Sequence, residues 1–237
     1  MTEPRCGAIV LAAGRASRMG RPKVLLPWRG RPLIAHVLAA LGEAPLAPCV
    51  VVTGPDTPPL DALGTRVQTV LHQEAATGVG GSLAAGVRAV MGKVDAVLVC
   101  LADEPGVPAM AMLRVAALAG RGRTARAVYR GQPGHPVLFP ARCFPELLAL
   151  SGDTGGRLVL QRHPPIAVPI NLPLPLDVDC EADYRRLLLE ADSPGPRGGK
   201  LAGPAVQRAG RLAPWPESEV PRHDRRRTER APQGGLG

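Results

Sequence analysis

The chain has 237 residues, and 29 Lys and Arg against 20 Asp and Glu leave a formal charge of +9. Apolar residues make up 45% of it, which is enough for a core and excludes wholesale disorder. Trp28, Tyr129, Phe139, Phe144, Tyr184 and Trp215 are the only aromatics, too few for a protein that stacks bases on aromatic platforms. Residues 97–102 form one of the longest apolar runs, far short of the roughly 18–20 residues that span a bilayer, so no membrane association is expected. Residues 8–14 look faintly like the apolar part of a signal peptide. Glu3 upstream and Arg15 and Arg18 downstream argue against that reading. Cys6, Cys49, Cys100, Cys143 and Cys180 are odd in number and contain no C-x-x-C, so they read as small apolar residues in a reducing cytoplasm.

In chain order, Cys6–Ala12 is a continuous apolar run, the mark of a strand covered on both faces. Residues 32–41 start with Pro, carry Leu33, Ile34, Val37, Leu38 and Leu41 at helical spacing, and stop at Gly42. Cys49–Thr53 and residues 67–71 are β-branched strands, residues 82–91 a helix and Ala96–Leu101 another buried strand. Helices over 109–119 and 143–150, a strand over 136–139 and an amphipathic helix over 181–190 complete the series. Interleaved strands and helices predict an α/β fold, a Rossmann-like, mostly parallel sheet with helices on both faces, spanning residues 1–190. From Ala191 onward, Gly and Pro supply 15 of 47 residues without periodicity. Residues 191–237 therefore read as a flexible basic tail. No nucleic-acid motif accompanies its charge, so nucleic-acid binding is not expected.

Sites in such sheets lie at the carboxyl ends of the strands. There the first strand enters LAAGRASRMGRPK, residues 11–23, where Gly14 and Gly20 bracket Arg18 and Lys23 follows. Glycines let backbone N–H groups approach phosphate oxygens, and the two cations suit a polyphosphate. The spacing fits neither a Walker loop nor a dinucleotide fingerprint. Asp103 follows the strand Ala96–Leu101 and either ligates Mg²⁺ or caps the next turn. Asp177 and Asp179 stand two apart on an extended segment; either could add a metal ligand, and Asp179 could instead cap the last helix. Residues 77–86 place small side chains at a helix start, where an anion or base edge could approach or where the loop is simply mobile.

Together the segments LAAGRASRMGRPKVLLPWRGRPLIAHVL, GGSLAAG, LVCLADEPGV, YRGQPGHPVLF, LSGDTGGRLVL and DVDCEADYRRLL resemble the MobA-like nucleotidyltransferase family, most closely its molybdenum-cofactor cytidylyltransferase branch. The resemblance implies a cytoplasmic enzyme that transfers CMP from CTP to the phosphate of molybdopterin with release of pyrophosphate, using Mg²⁺. It implies that Leu11, Ala12, Ala13 and Gly14 hold base and ribose, and that Arg18 and Lys23 bind the triphosphate. Gly81 and Ser82 would lie beside the base or ribose, Asp103 and Asp179 would ligate the metal, and His135 and Asp153 would face the acceptor. A molybdoenzyme or its chaperone would be the partner. Other branches use GTP or other acceptors on the same loops, and a cofactor carrier without turnover is the non-enzyme alternative. The chain departs from the usual family pattern at Ala16, His72, Glu104 and Cys180-Glu181.

Overall fold

The computed structural model describes residues 4–14, 22–57, 60 and 67–192. Arg18 and the tail beyond residue 192 lie outside the described residues. Strands β1 (Cys6–Ala12), β4 (Cys49–Thr53), β5 (Gln68–Leu71), β6 (Ala96–Leu101), β7 (Ala125–Tyr129), β8 (Gln132–Pro140) and β9 (Ile166–Ile170) form one sheet in the order β5-β4-β1-β6-β8-β7-β9. Only β8 runs against its neighbours, so the sheet is mostly parallel. A small hairpin of β2 (Pro27–Trp28) and β3 (Arg31–Pro32) stands apart from it.

Period-two alternation divides the core between the two faces of the sheet. Ala8, Val10, Leu98, Cys100 and Leu138 pack on one face beneath α1 (Leu33–Gly42) and α3 (Ala109–Ala116), through Ile34, Val37, Met112 and Val115. Ile9, Val97, Val99, Val137 and Phe139 pack on the other beneath α2 (Val79–Val90) and α4 (Phe144–Leu148), through Leu83, Val87 and Leu147. Each of the buried Val, Leu, Ile, Met and Phe side chains contributes about 1.5–3 kcal/mol. A third cluster joins Leu26, Trp28 and Leu33 to Val178, Tyr184 and Leu187. It docks the last helix, α6 (Glu181–Asp192), on the hairpin. The Trp28 indole N–H donates to the Leu187 carbonyl at 3.3 Å, and the Tyr184 hydroxyl donates to the Pro27 carbonyl at 2.6 Å.

Several elements differ from the sequence expectation. Helix α2 starts three residues early, at Val79. Its first turn admits Gly80 because a Cβ there would meet the Ser151 carbonyl oxygen at 2.8 Å. Helix α3 ends at Ala116 and gives way to a separate 3-10 turn at Ala119–Arg121. The strand expected over 136–139 begins at Gln132, pairing with β7 across a tight turn at Arg130 and Gly131, both at positive φ. Strands β7 and β9 and the short helix α5 (Arg157–Arg162) were not expected, because Arg126 and Pro169 interrupt the two short apolar runs and α5 spans only six residues. Cys6, Cys100 and Cys143 are buried, Cys49 and Cys180 are half-buried, and all five are free thiols. No helix among the described residues is long and apolar enough to cross a membrane.

Candidate active site

Strands β1 and β6 are parallel neighbours with Leu11 opposite Leu101, so the loops that follow them leave the same edge of the sheet. The Ala102 amide donates to the Leu11 carbonyl at 3.0 Å and carries the pairing one residue further. Asp103 therefore emerges beside Ala13 and Gly14. The chain next reaches Lys23, which opens a single 3-10 turn, Lys23–Leu25, placed after Pro22. The position of a Cβ on Gly14 would lie 3.5 Å from Lys23 Cε, so the glycine backbone runs alongside the lysine stem. On the third side, the Val178 amide donates to the Asp103 carbonyl at 3.2 Å, while α6 is held on the hairpin that follows Lys23. Residues far apart in the chain thus meet at one point.

Lys23 Nζ lies 2.5 Å from Asp103 Oδ2 and 2.8 Å from Asp179 Oδ1. Burial disfavours its charge, but the two carboxylates outweigh that cost and hold the ammonium above its ordinary pKa. Carboxylate oxygens of Asp103, Asp177 and Asp179 all lie within 4.8 Å of one another. Asp177 Oδ1 is buried without a hydrogen-bond partner. Burial, with the charges of Asp103 and Asp179, pushes the Asp177 carboxyl up to about 7. Three hard oxygen donors, one of them orphaned, fit a divalent cation of the magnesium type. The competing role of Asp179 as a helix cap falls to another residue. Asp183 Oδ2 accepts the Asp179 and Cys180 amides at 3.3 and 3.0 Å, the backward half of a capping box, and leaves Asp179 free to face Lys23.

A cavity of about 470 Å³ opens beside this cluster, lined among others by Leu11, Ala13, Gly14, Lys23, Ser82 and Asp153. The amino end of α2 also faces it through Gly78 and Val79, and its N-cap Gly78 offers no side chain to cap the helix. Free amides there favour an anion. Ala12 is 2% exposed and does not line the cavity; its carbonyl accepts the Thr57 hydroxyl at 3.3 Å. Gly81 lies under the His72 ring, whose Cε1 would stand 2.8 Å from an added Cβ, and His72 Nδ1 is 3.1 Å from Ser82 Oγ.

His135 and Asp153, paired in the sequence reading, line different cavities. Asp153 shares the first with Lys23, whereas His135 faces a second cavity of about 690 Å³ with Thr154 and Arg157. The buried Glu104, a departure from the family pattern, accepts a hydrogen bond from His135 Nδ1 at 3.0 Å, and the His135 carbonyl accepts the Tyr129 hydroxyl at 2.7 Å. Sequence reasoning did not foresee that pairing. An acid next to the lone Gly-His-Pro histidine was visible only as a charge.

The sequence matches the MobA-like NTP transferase domain over residues 8–166. It is 30% identical to the nicotine blue oxidoreductase of Paenarthrobacter nicotinovorans over 172 residues, covering 68% of this chain and 84% of that protein. It is also 30% identical to the purine catabolism protein PucB of Bacillus subtilis, covering 68% of this chain and 83% of PucB. The crystal structure of Rv0371c of Mycobacterium tuberculosis in complex with manganese superposes with a TM-score of 0.69 at 27% identity, over 78% of this chain and 98% of that one. The sheet, the edge at which the loops converge and the match across two thirds of the chain agree: this protein belongs to the MobA-like NTP transferase family and is a nucleotidyltransferase of that family.

Proposed function

We propose that the chain transfers CMP from CTP to the terminal phosphate of a molybdopterin-type acceptor, in the cytoplasm, with release of pyrophosphate. The observation that carries this reading is the convergence of Lys23, Asp103, Asp177 and Asp179 beside a cavity lined by Gly14 and the amino end of α2. The molybdopterin acceptor is favoured by the combination of Gly134-His135-Pro136, Gly152-Asp153-Thr154-Gly155 and Asp177-Val178-Asp179, and CTP by the resemblance to the cytidylyltransferase branch. An acceptor phosphate oxygen attacks the α-phosphorus, a new P–O bond forms, and the bond from the α-phosphorus to the bridging oxygen breaks. That phosphate is already anionic at neutral pH, so no general base and no covalent enzyme intermediate are needed.

The protein contributes alignment and charge. Gly14 and the amides at the start of α2 receive the triphosphate. Lys23 turns from Asp103 toward a phosphate oxygen, and Arg18 adds a second cation. Asp103 and Asp179, with Asp177 beside them, would hold Mg²⁺, which would supply positive charge to offset the negative charge developing on the leaving pyrophosphate. Leu11, Ala13 and Ser82 border base and ribose, with Gly81 and the His72 ring behind Ser82, while buried Ala12 supports the loop from below. His135 and Asp153 border the acceptor from two sides.

Thermal stabilisation by each ribonucleoside triphosphate with Mg²⁺ tests the base. Ligand at a hundred times its dissociation constant adds about 2.7 kcal/mol. Equal stabilisation by CTP and GTP removes the cytidylyl assignment. Pyrophosphate release with CTP and molybdopterin tests the reaction. Lys23→Ala and Asp103→Ala are each expected to slow it at least tenfold, and tight binding without release would point to a carrier instead.

A further inference from the structure

The second cavity adjoins the first, sharing Leu11 and Val79 as a common wall. Its other walls are mainly apolar, with Leu83, Val99, Phe139 and Leu160 among them. Arg126 on β7 also lines it. Ala125 and Ala127 are fully buried on the α1–α3 face of the sheet, so alternation turns Arg126 to the face that carries Val137 and Phe139. There its Nε is buried and has no hydrogen-bond partner, and Arg126 makes no ion pair among the described residues.

A guanidinium in this position is costly. A buried donor left unpaired costs about 1–3 kcal/mol, more when it belongs to a charged group, and an apolar side chain of similar volume would serve stability better. Desolvation accordingly holds the Arg126 pKa below its ordinary value. The acids that share a cleft with it do not answer it. Glu104 and Asp177 line a narrower cleft that Arg126 and His135 share with the apolar cavity, but Glu104 is engaged by His135 at 3.0 Å, and Asp177 belongs to the acid cluster beside Lys23. What remains unanswered is a largely apolar chamber with a forked cation in its wall, beside the cavity that holds Lys23; the other guanidinium lining it, Arg157, is exposed to solvent.

We propose that Arg126 is a specificity-determining anchor for the second substrate, binding an anionic group at the far end of an acceptor whose body fills this largely apolar chamber. The inference rests on the nucleotidyl-transfer reading of the neighbouring cavity and deepens it. It requires an acceptor with two acidic ends: the phosphate that reacts beside Lys23, and a second anion that reaches Arg126. The guanidinium fork recognises such a group in a fixed geometry, which a lysine ammonium does not reproduce.

The test uses two probes of one shape, 2-naphthoate and the neutral 2-naphthamide, titrated calorimetrically into the full chain. Wild-type protein is expected to prefer the carboxylate at least tenfold. Arg126→Met should bind both probes alike, and Arg126→Lys should recover part of the preference. Because Arg126→Met removes an unpaired buried donor, its Tm should be unchanged or higher. A wild type that does not bind naphthoate at millimolar concentration, or binds both probes equally, overturns the proposal. A preference that survives in Arg126→Met, or a variant that fails to fold, overturns it too. Magnesium–CTP stabilisation of the wild type is read separately: its loss would sink the nucleotidyl-transfer reading while leaving the naphthoate result standing.

Discussion

Replacing Lys23 with Met separates the two roles of its ammonium. Lys23 stands between Asp103 and Asp179, where a divalent ion would also sit. The side chains of Lys23 and Asp103 are 11% and 15% exposed, whereas Asp179 is 58% exposed. A pair about 4 Å apart attracts by about 4 kcal/mol at an effective dielectric near 20, and by about 1 kcal/mol in water. The Asp103 contact is close to the first limit and the Asp179 contact close to the second. After desolvation is discounted, losing the ammonium should cost about 2–3 kcal/mol of stability, because it leaves clustered carboxylates uncompensated. The measurement is thermal unfolding at pH 8, with chelator and then with millimolar Mg²⁺ or Mn²⁺. Lys23→Met should unfold earlier than wild type in chelator and gain more from the metal, since the ion no longer has to displace an ammonium. Its turnover should nonetheless fall at least tenfold. Equal or smaller metal stabilisation in the variant would refute the idea that lysine and metal compete for the same acids.

Two further outcomes follow from the geometry. The Asp177 carboxyl, pushed up to about 7 from 3.8, binds a proton more tightly in the folded than in the unfolded chain. The chelator-treated protein should therefore lose stability as pH rises from about 4 to about 7 and level off above that, and Asp177→Asn should flatten the decline, as read by urea unfolding across that range. Gly78 has φ +127°, and an added Cβ would lie 2.2 Å from the Gly152 carbonyl carbon. Gly78→Ala should cost about 3 kcal/mol by combining strain with a backbone clash, and should displace the 152–154 turn that carries Asp153. An unchanged denaturation midpoint would contradict that packing.

The boundaries of β1, β4 and β6 were legible to the residue, because strands covered on both faces must be continuously apolar. Lys23 and Asp103 were legible as candidates because they follow strands that end at one edge of the sheet. Strand β7 was not, because Arg126 interrupts its apolar run and only the pairing with β8 and β9 makes it a strand. Nor could the sequence say whether Asp179 ligates a metal or caps α6: in the fold Asp183 accepts the amides at the helix start, and Asp179 faces Lys23. Local composition and periodicity act over a few residues, so they carry the elements, the glycine-rich loop and the acids that follow strands. The meeting of Lys23 with Asp179, the pairing of Glu104 with His135 and the isolation of Arg126 in an apolar wall depend on contacts between distant segments. Only the folded sheet, with α6 docked on the hairpin, brings those segments together.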